Sequence, residues 1–337
     1  MMSSMLLSYI VPVYNTRAYL AKCLDSLFDQ GLQPDDFEVL VVDDGSTDGS
    51  RDVVEAMLAD CPQLRLITQA NAGVSAARNH ALDQARGRYV QFVDSDDYLE
   101  RGMMARLLQR AVDEDLDVLQ FNYKTITAEG QTMAVPDSDD GPSTPAMRGV
   151  EFLDNHRLTP YVWRFLVRRD YLEEHRWRFD TSLIVCEDGA LIAKFMLQAD
   201  RMAYSADAVY CYVNRGDSAM HNSDRQHLQR RIFSQIDSAA LIDATARDYE
   251  QETGRAAPAS VHGLRNVYLY FAMTKALTSG CVDEAVERIR RSGLFPFPCV
   301  GPEANYYGKK WKVIHVLMMR PRLWSMLSRL YQAIKKS

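Results

Sequence analysis

The sequence predicts an α/β fold with a mostly parallel central sheet, followed by a C-terminal α-helical region. Near-continuous apolar runs of strand length recur through the first hundred or so residues, the pattern of strands buried on both faces. Segments of helical spacing separate those runs, so the strands are joined by helical crossovers. From about residue 225 onward the apolar spacing is helical throughout. The expected division is 1–222 and 223–337, with the first part subdivided near residue 105.

Taken in order, Leu6–Val13 reads as the first strand and Thr16–Gln30 as an amphipathic helix. Phe37–Val42 is a strand, Asp48–Asp60 a helix, Arg65–Thr68 a short strand, Val74–Ala85 a helix and Tyr89–Val93 a strand. A helix over 98–113 and a strand over 116–121 follow. Residues 129–149 are rich in Gly, Pro, Ser and Asp and read as a loop. Mixed structure resumes over 150–220, and no internal repeat is visible.

Chemistry concentrates where the predicted strands end. Tyr89–Val93 runs straight into Asp94, Ser95, Asp96 and Asp97. In an extended segment residues i and i+2 share a side, which would aim Asp94 and Asp96 at one object. Hard carboxylate oxygens suit Mg2+ or Mn2+, whose remaining ligands would be phosphate oxygens. The plainer alternative is an acidic turn capping the next helix. Three more segments sit at comparable positions: Pro12-Val13-Tyr14-Asn15, Val41-Val42-Asp43-Asp44-Gly45-Ser46-Thr47-Asp48 and Asn71-Ala72-Gly73-Val74-Ser75-Ala76-Ala77-Arg78-Asn79. Strand ends of an open sheet form its usual ligand crevice. There a carboxylate at Asp43 or Asp44 could accept a nucleobase N–H, Tyr14 could line the base slot, and Arg78 could hold a base or a phosphate.

These four strings, in this order and spacing over residues 6 to about 105, resemble the nucleotide-sugar-binding half of the family 2 glycosyltransferases, inverting enzymes of GT-A fold. The resemblance implies that Asp43 and Asp44 contact uracil, that Asp94 and Asp96 of the D-x-D motif contact ribose and metal, and that Arg78 lies near the nucleotide. Pro12, Tyr14 and Ser95 belong to the same nucleotide-sugar set. Cys186-Glu187-Asp188-Gly189 is similar to the family's Glu-Asp motif, so the resemblance makes Asp188 the catalytic base with Glu187 beside it. The same two residues would also suit the first turn of a helix, favoured by its dipole. Tyr210–Asn222 looks like the family's loop after the base-bearing helix. There Arg215 and Ser218 could reach the diphosphate and His221 the metal or phosphate, although a polar surface loop reads equally well.

The six cysteines lack metal-ligand spacing and read as reduced thiols, and no apolar run reaches the length of a membrane span. No signal peptide is present, so a cytoplasmic location is expected. Net charge is −6, yet residues 304–337 contain eight Lys and Arg and no Asp or Glu, leaving −14 on the first 303. Trp311, Leu323, Trp324, Leu327 and Leu330 interleave with those bases, and Pro321 divides the stretch into two short helices. Such a segment can lie at an anionic membrane surface, or pack on its own domain with its bases solvated.

The expected activity is therefore transfer of one sugar from a nucleotide donor, with UDP favoured, to a saccharide or lipid-linked saccharide acceptor in surface-polysaccharide assembly. A processive synthase would need membrane helices and a Q-x-x-R-W motif. A nucleotidyltransferase would need a Gly-rich loop where Pro12–Asn15 stands, and a dehydrogenase a G-x-G-x-x-G. A non-catalytic sugar-binding module would be expected to lack Asp96 or Asp188. Nucleic acid is not expected as a partner, because the body is acidic and no reader motif is present.

Overall fold

The computed structural model describes residues 5–134, 141–215, 225–295 and 319–336. The chain forms two compact units: residues 1–152, 161–181 and 198–216 make one, and 153–160, 182–197 and 217–337 the other.

The first unit is built on a sheet. In chain order its elements are β1 (Leu7–Val13), α1 (Arg17–Phe28), β2 (Phe37–Asp43), α2 (Ser50–Met57), β3 (Leu64–Thr68), α3 (Val74–Leu82), β4 (Tyr89–Phe92), β5 (Tyr98–Leu99) and α4 (Met104–Asp113). There follow β6 (Val118–Thr127), β7 (Thr132–Ala134), α5 (Gly149–Asn155), β8 (Phe165–Arg168), α6 (Arg169–Glu174) and, after a helix of the second unit, β9 (Met202–Asn214). Strand order is β3-β2-β1-β4-β8-β6-β9-β5, with β7 paired to β6. β1, β2, β3, β4, β6 and β9 run one way, while β5, β7 and β8 run against them. The sheet is thus mostly parallel, and every residue of β1, β2 and β4 is buried, as the apolar runs require.

Three local readings need correction. Thr132–Ala134, expected within a loop, pairs with β6 as strand β7. Residues 98–113 are not one helix. Tyr98–Leu99 pairs with Tyr210–Cys211 as an edge strand, and the helix starts only at Met104. Likewise Tyr210–Asn214, expected in a loop, is the end of the 13-residue strand β9. In these last two places a long-range partner decides, and local periodicity cannot register it.

A buried acid anchors the sheet at the opposite end from its ligand crevice. Glu38 of β2 accepts hydrogen bonds from Ser8 Oγ at 2.8 Å, from the Arg86 backbone N–H at 2.7 Å and from Arg65 Nη1 at 3.1 Å. Burial alone pushes its carboxyl up, but the Arg86 guanidinium, 2.7 Å from Oε2, together with these bonds outweighs burial and holds it below the usual carboxylate range.

The second unit contains α7 (Glu187–Gln198), α8 (Arg225–Thr253), α9 (Ala259–Ser279), α10 (Val282–Arg291) and α11 (Pro321–Lys336). An ion pair between Arg265 and Asp243 is buried within it, and Trp324 of α11 is buried with its indole N–H donating to Met273 O at 3.3 Å. Gly189, in the first turn of α7, lets Tyr268 of α9 pass close by. A Cβ there would stand 2.4 Å from the Tyr268 hydroxyl and 3.1 Å from Leu264 Cδ2. Gly189→Ala is expected to cost about 1–3 kcal/mol and lower the Tm by several degrees. Adding Tyr268→Phe, which removes the clashing hydroxyl, restores part of that loss in thermal scans.

Candidate active site

β1 and β4 part at their C-terminal edge, where the candidate site residues stand, and the sequence makes them part there. β1 pairs with β2 as far as Val13, but with β4 only as far as Ile10. Two residues further on stands Pro12, which has no N–H for a ladder. Beyond it Asn15 turns with φ +54°, a value that Asn tolerates better than bulkier residues. Its side chain and backbone then bind the neighbouring turn: Thr47 N–H donates to Asn15 Oδ1 at 2.8 Å, and Asn15 N–H donates to Ser46 Oγ at 3.1 Å. Tyr14 stands beside this turn and is half exposed.

The two aspartates that end β2 have different duties. Asp43 Oδ1 accepts the Ser46 N–H at 3.0 Å, closing its own turn. Asp44 accepts N–H groups from Ala72 at 2.8 Å and Gly73 at 2.9 Å, and the Gln69 amide at 2.8 Å. It therefore ties the Asn71–Gly73 turn to the end of β2. Both carboxylates are buried.

The Asp94–Asp97 cluster divides into an inner and an outer part. β4 ends at Phe92, and Asp97 N–H donates to Asp94 O at 3.0 Å, so the aspartates sit in a tight turn. Alternation along an extended strand, the expected reason for Asp94 and Asp96 to face together, does not operate here. Asp97 points inward, accepting Tyr210 Oη at 2.9 Å and the Val213 N–H at 2.7 Å. The same tyrosine hydroxyl accepts the Asp94 N–H at 3.0 Å, so Tyr210 fixes the turn from below. Asp94 and Asp96 keep 32% and 26% of their side chains exposed, so part of each carboxylate is accessible to a ligand. Ser95 is buried and accepts a hydrogen bond from the Thr16 hydroxyl at 3.0 Å, joining the turn to the end of β1.

Two cations face the outer pair. Arg78, buried in α3, donates to Asp94 Oδ1 at 2.8 Å with its guanidinium 5.1 Å from the Phe179 ring centroid. Phe179 is held in turn by Asn79, through bonds of 2.9 Å to its backbone O and N. Arg215, just past β9, pairs with Asp96 and lies 4.2 Å above the Tyr19 ring. Burial, and then the charge of Asp94, push the Asp96 carboxyl up despite Arg215. Burial followed by Asp96 and Asp94 pushes Asp97 well above the usual range. The outward Asp94 and Asp96 are a donor set of hard oxygens that suits Mg2+ or Mn2+. Among the described residues no group of three His, Cys, Asp or Glu gathers around one point, so two carboxylates would need phosphate or water to complete a shell.

Glu187 and Asp188 open α7, in the second unit. The loop before them is clamped by α8. Ser234 Oγ accepts the N–H groups of Ile184 at 3.0 Å and Val185 at 3.1 Å and donates to Val185 O at 2.8 Å, while Ser238 Oγ donates to Cys186 O at 2.7 Å. Cys186 itself takes φ +64°. Its thiol is pushed up to about 12, by burial and then by Glu187 and Asp188, so it is no nucleophile near neutral pH. Ser218 and His221 lie outside the described residues. Tyr210, Tyr19, Phe179, Thr16, Ser234 and Ser238 escaped the sequence reading. Tyr210 stood within a quoted motif, as an assumed loop residue.

Comparison with known proteins shows the family. The profile described as glycosyl transferase family 2 matches residues 8–193, which take in β1 through most of α7. The chain is 31% identical to the uncharacterized glycosyltransferase EpsJ of Bacillus subtilis over 238 residues, 68% of this chain and 69% of EpsJ. It is 33% identical to the uncharacterized glycosyltransferase YibD of Escherichia coli over 251 residues, 72% of each. Among solved structures, Staphylococcus aureus TarS 1–349 matches at TM-score 0.70 and 22% identity, covering 98% of this chain and 92% of that one. The same TarS segment has been solved with UDP and with UDP-GlcNAc. The sheet, the helical C-terminal region and the TarS likeness establish the GT-A fold, and the match over residues 8–193 shows that this chain belongs to glycosyl transferase family 2.

Proposed function

We propose that this enzyme transfers one sugar from a UDP-sugar to a hydroxyl of a saccharide or lipid-linked saccharide, with inversion, in assembly of a cell-surface polysaccharide. The observation that carries the reading is the outward pair Asp94 and Asp96, faced by Arg78 and Arg215 at the open sheet edge. The UDP and UDP-GlcNAc complexes of TarS favour a uridine donor and a hexosyl or N-acetylhexosaminyl group. In this reading Asp43 and Tyr14 receive the base, with Pro12 and Asp44 shaping the slot, and Ser95 lies beside the ribose. Asp94 and Asp96 hold Mg2+ or Mn2+, which when bound offsets charge on the departing diphosphate. Arg215 would turn from Asp96 toward a phosphate oxygen. The Asp188 carboxylate takes the acceptor hydroxyl's proton as the new C1–O bond forms opposite the breaking bond to UDP. Glu187 supports it at the helix start.

The test is nucleoside diphosphate release from UDP-, GDP- and dTDP-sugars with Mn2+, with and without EDTA. Turnover of one UDP-sugar that falls to background with EDTA supports the reading. Equal turnover in EDTA removes the metal from it, and a GDP- or dTDP-sugar as sole substrate removes the uridine.

A location at the inner face of the cell membrane belongs to the same proposal. Among the described residues no helix is long and apolar enough to cross a membrane. α11 has another use: one face buries Trp324, Ser325 and Ser328, while Met326, Leu330 and Ile334 on another are 57%, 57% and 66% exposed. Arg322 and Arg329 flank that outward apolar stripe. Trp311 and the three lysines between 309 and 312 lie outside the described residues. The protein is expected to sediment with anionic vesicles and stay in solution with neutral ones. Leu330→Glu with Ile334→Glu should reduce the bound fraction at least about tenfold, since two charges enter the outward apolar stripe; unchanged sedimentation excludes this helix as the contact.

A further inference from the structure

Five aromatic rings gather at the same sheet edge, on the far side of Asp94 and Asp96 from β2. Strand order places β2 and β1 to one side of β4, and β8, β6 and β9 to the other. β8 runs against β4, with Val90 opposite Val167, so the turn before β8 reaches the C-terminal edge of the parallel strands. Trp163 in that turn stacks on Tyr210 at 4.2 Å and 15°, and on Tyr161 at 5.1 Å and 18°. Tyr212 lies parallel to Trp163 at 6.1 Å and 8°, and Tyr123 meets Trp163 edge-on at 5.0 Å. Tyr210 and Trp163 are buried, but Tyr161 and Tyr212 are 42% and 39% exposed. The rings are tied to the acidic turn through their own chain. Tyr210 bonds to Asp97 and to the Asp94 N–H, and Val213, the residue after Tyr212, donates to Asp97 Oδ1 at 2.7 Å.

We propose that Tyr161 and Tyr212, backed by Trp163, form the stacking platform for a pyranose ring of the acceptor. This rests on the acceptor being a saccharide, as proposed above. A core needs no exposed tyrosines held parallel to a buried tryptophan, and ring faces carry negative charge density. A pyranose with all-equatorial substituents presents several axial C–H groups on one face. These are apolar, slightly positive and flat, and complement such a ring. In the reading proposed above the nucleobase takes the β1–β2 end, which leaves the platform, on the other side of β4, for a sugar beyond the diphosphate. An aromatic anchor with a few polar neighbours is the usual composition of a small-molecule site. Because Trp163 and Tyr210 fix the rings in advance, little ordering is lost on binding.

Chitobiose and cellobiose serve as probes, observed by saturation-transfer NMR on the full chain with UDP and Mn2+ present. Saturation is expected to reach the axial ring protons of at least one disaccharide. Tyr161→Ala and Tyr212→Ala should each reduce that transfer at least threefold and raise the dissociation constant about tenfold. Tyr161→Phe and Tyr212→Phe keep the rings and should bind within about twofold of wild type, separating stacking from a hydroxyl bond. Equal transfer in the alanine variants, or no transfer to either sugar from wild type, overturns the platform. UDP binding is measured on the same samples by calorimetry. Loss of UDP heat in wild type counts against the donor reading, while the disaccharide result still decides the platform.

Discussion

Asp96→Asn is expected to lower turnover of the nucleotide-sugar donor by about a thousandfold, the scale on which losing a preorganised partner of transition-state charge is felt. Asparagine keeps the shape and one carbonyl oxygen, so the loss is one of charge rather than packing. It should also be nearly neutral for stability, or slightly favourable. Burial and the neighbouring Asp94 both oppose ionisation of Asp96, and Arg215 only partly compensates. The sign of the pH dependence follows. A carboxyl whose folded pKa is raised contributes its stabilisation in full below its unfolded value near 3.8, and loses it as pH rises through the folded value. Wild type should therefore lose ground relative to Asp96→Asn as pH climbs above that point, with a constant difference below it. Chemical denaturation across pH checks this in metal-free buffer. A variant that loses both turnover and stability would make Asp96 a structural pin of the Asp97 kind, and one that keeps turnover would remove it from the site.

The alternation of strands and helices was legible because buried parallel strands leave continuous apolar runs such as Leu7–Val13 and Phe37–Asp43. The acidic and glycine-bearing turns were legible because strand-end chemistry is written in consecutive residues. What sequence could not show is the division of labour inside those strings. Asp43 and Asp44 look alike in a row, yet Asp44 is tied by three donors 25 to 29 residues away. Asp97 looks like a third ligand but is turned inward by Tyr210, 113 positions along the chain. The β5 edge strand was read as helix for the same reason: its partner is in β9. Local spacing carries propensity, and these assignments depend on pairing and burial.

The last large effect expected is at Asp188. Asp188→Asn should lower kcat for transfer by about a hundredfold to ten-thousandfold, the range for a positioned general base, while UDP affinity changes by less than twofold. The structural alternative makes a different prediction. Asp188 lies in the first turn of α7, where a carboxylate interacts favourably with the helix dipole. If that were its whole contribution, asparagine would cost about 0.3–1 kcal/mol of stability and leave kcat close to wild type. Glu187 separates the two further, because it shares the first turn but is buried. Glu187→Gln should therefore reproduce the dipole effect, with a much smaller loss in kcat than Asp188→Asn. The loop before them is fixed by Ser234 and Ser238, so a substitution at the carboxylate leaves the backbone that presents it in place. A loss of kcat at Asp188 alone, with UDP affinity and Tm retained, identifies the base. Equal small losses at both positions return α7 to a purely structural role.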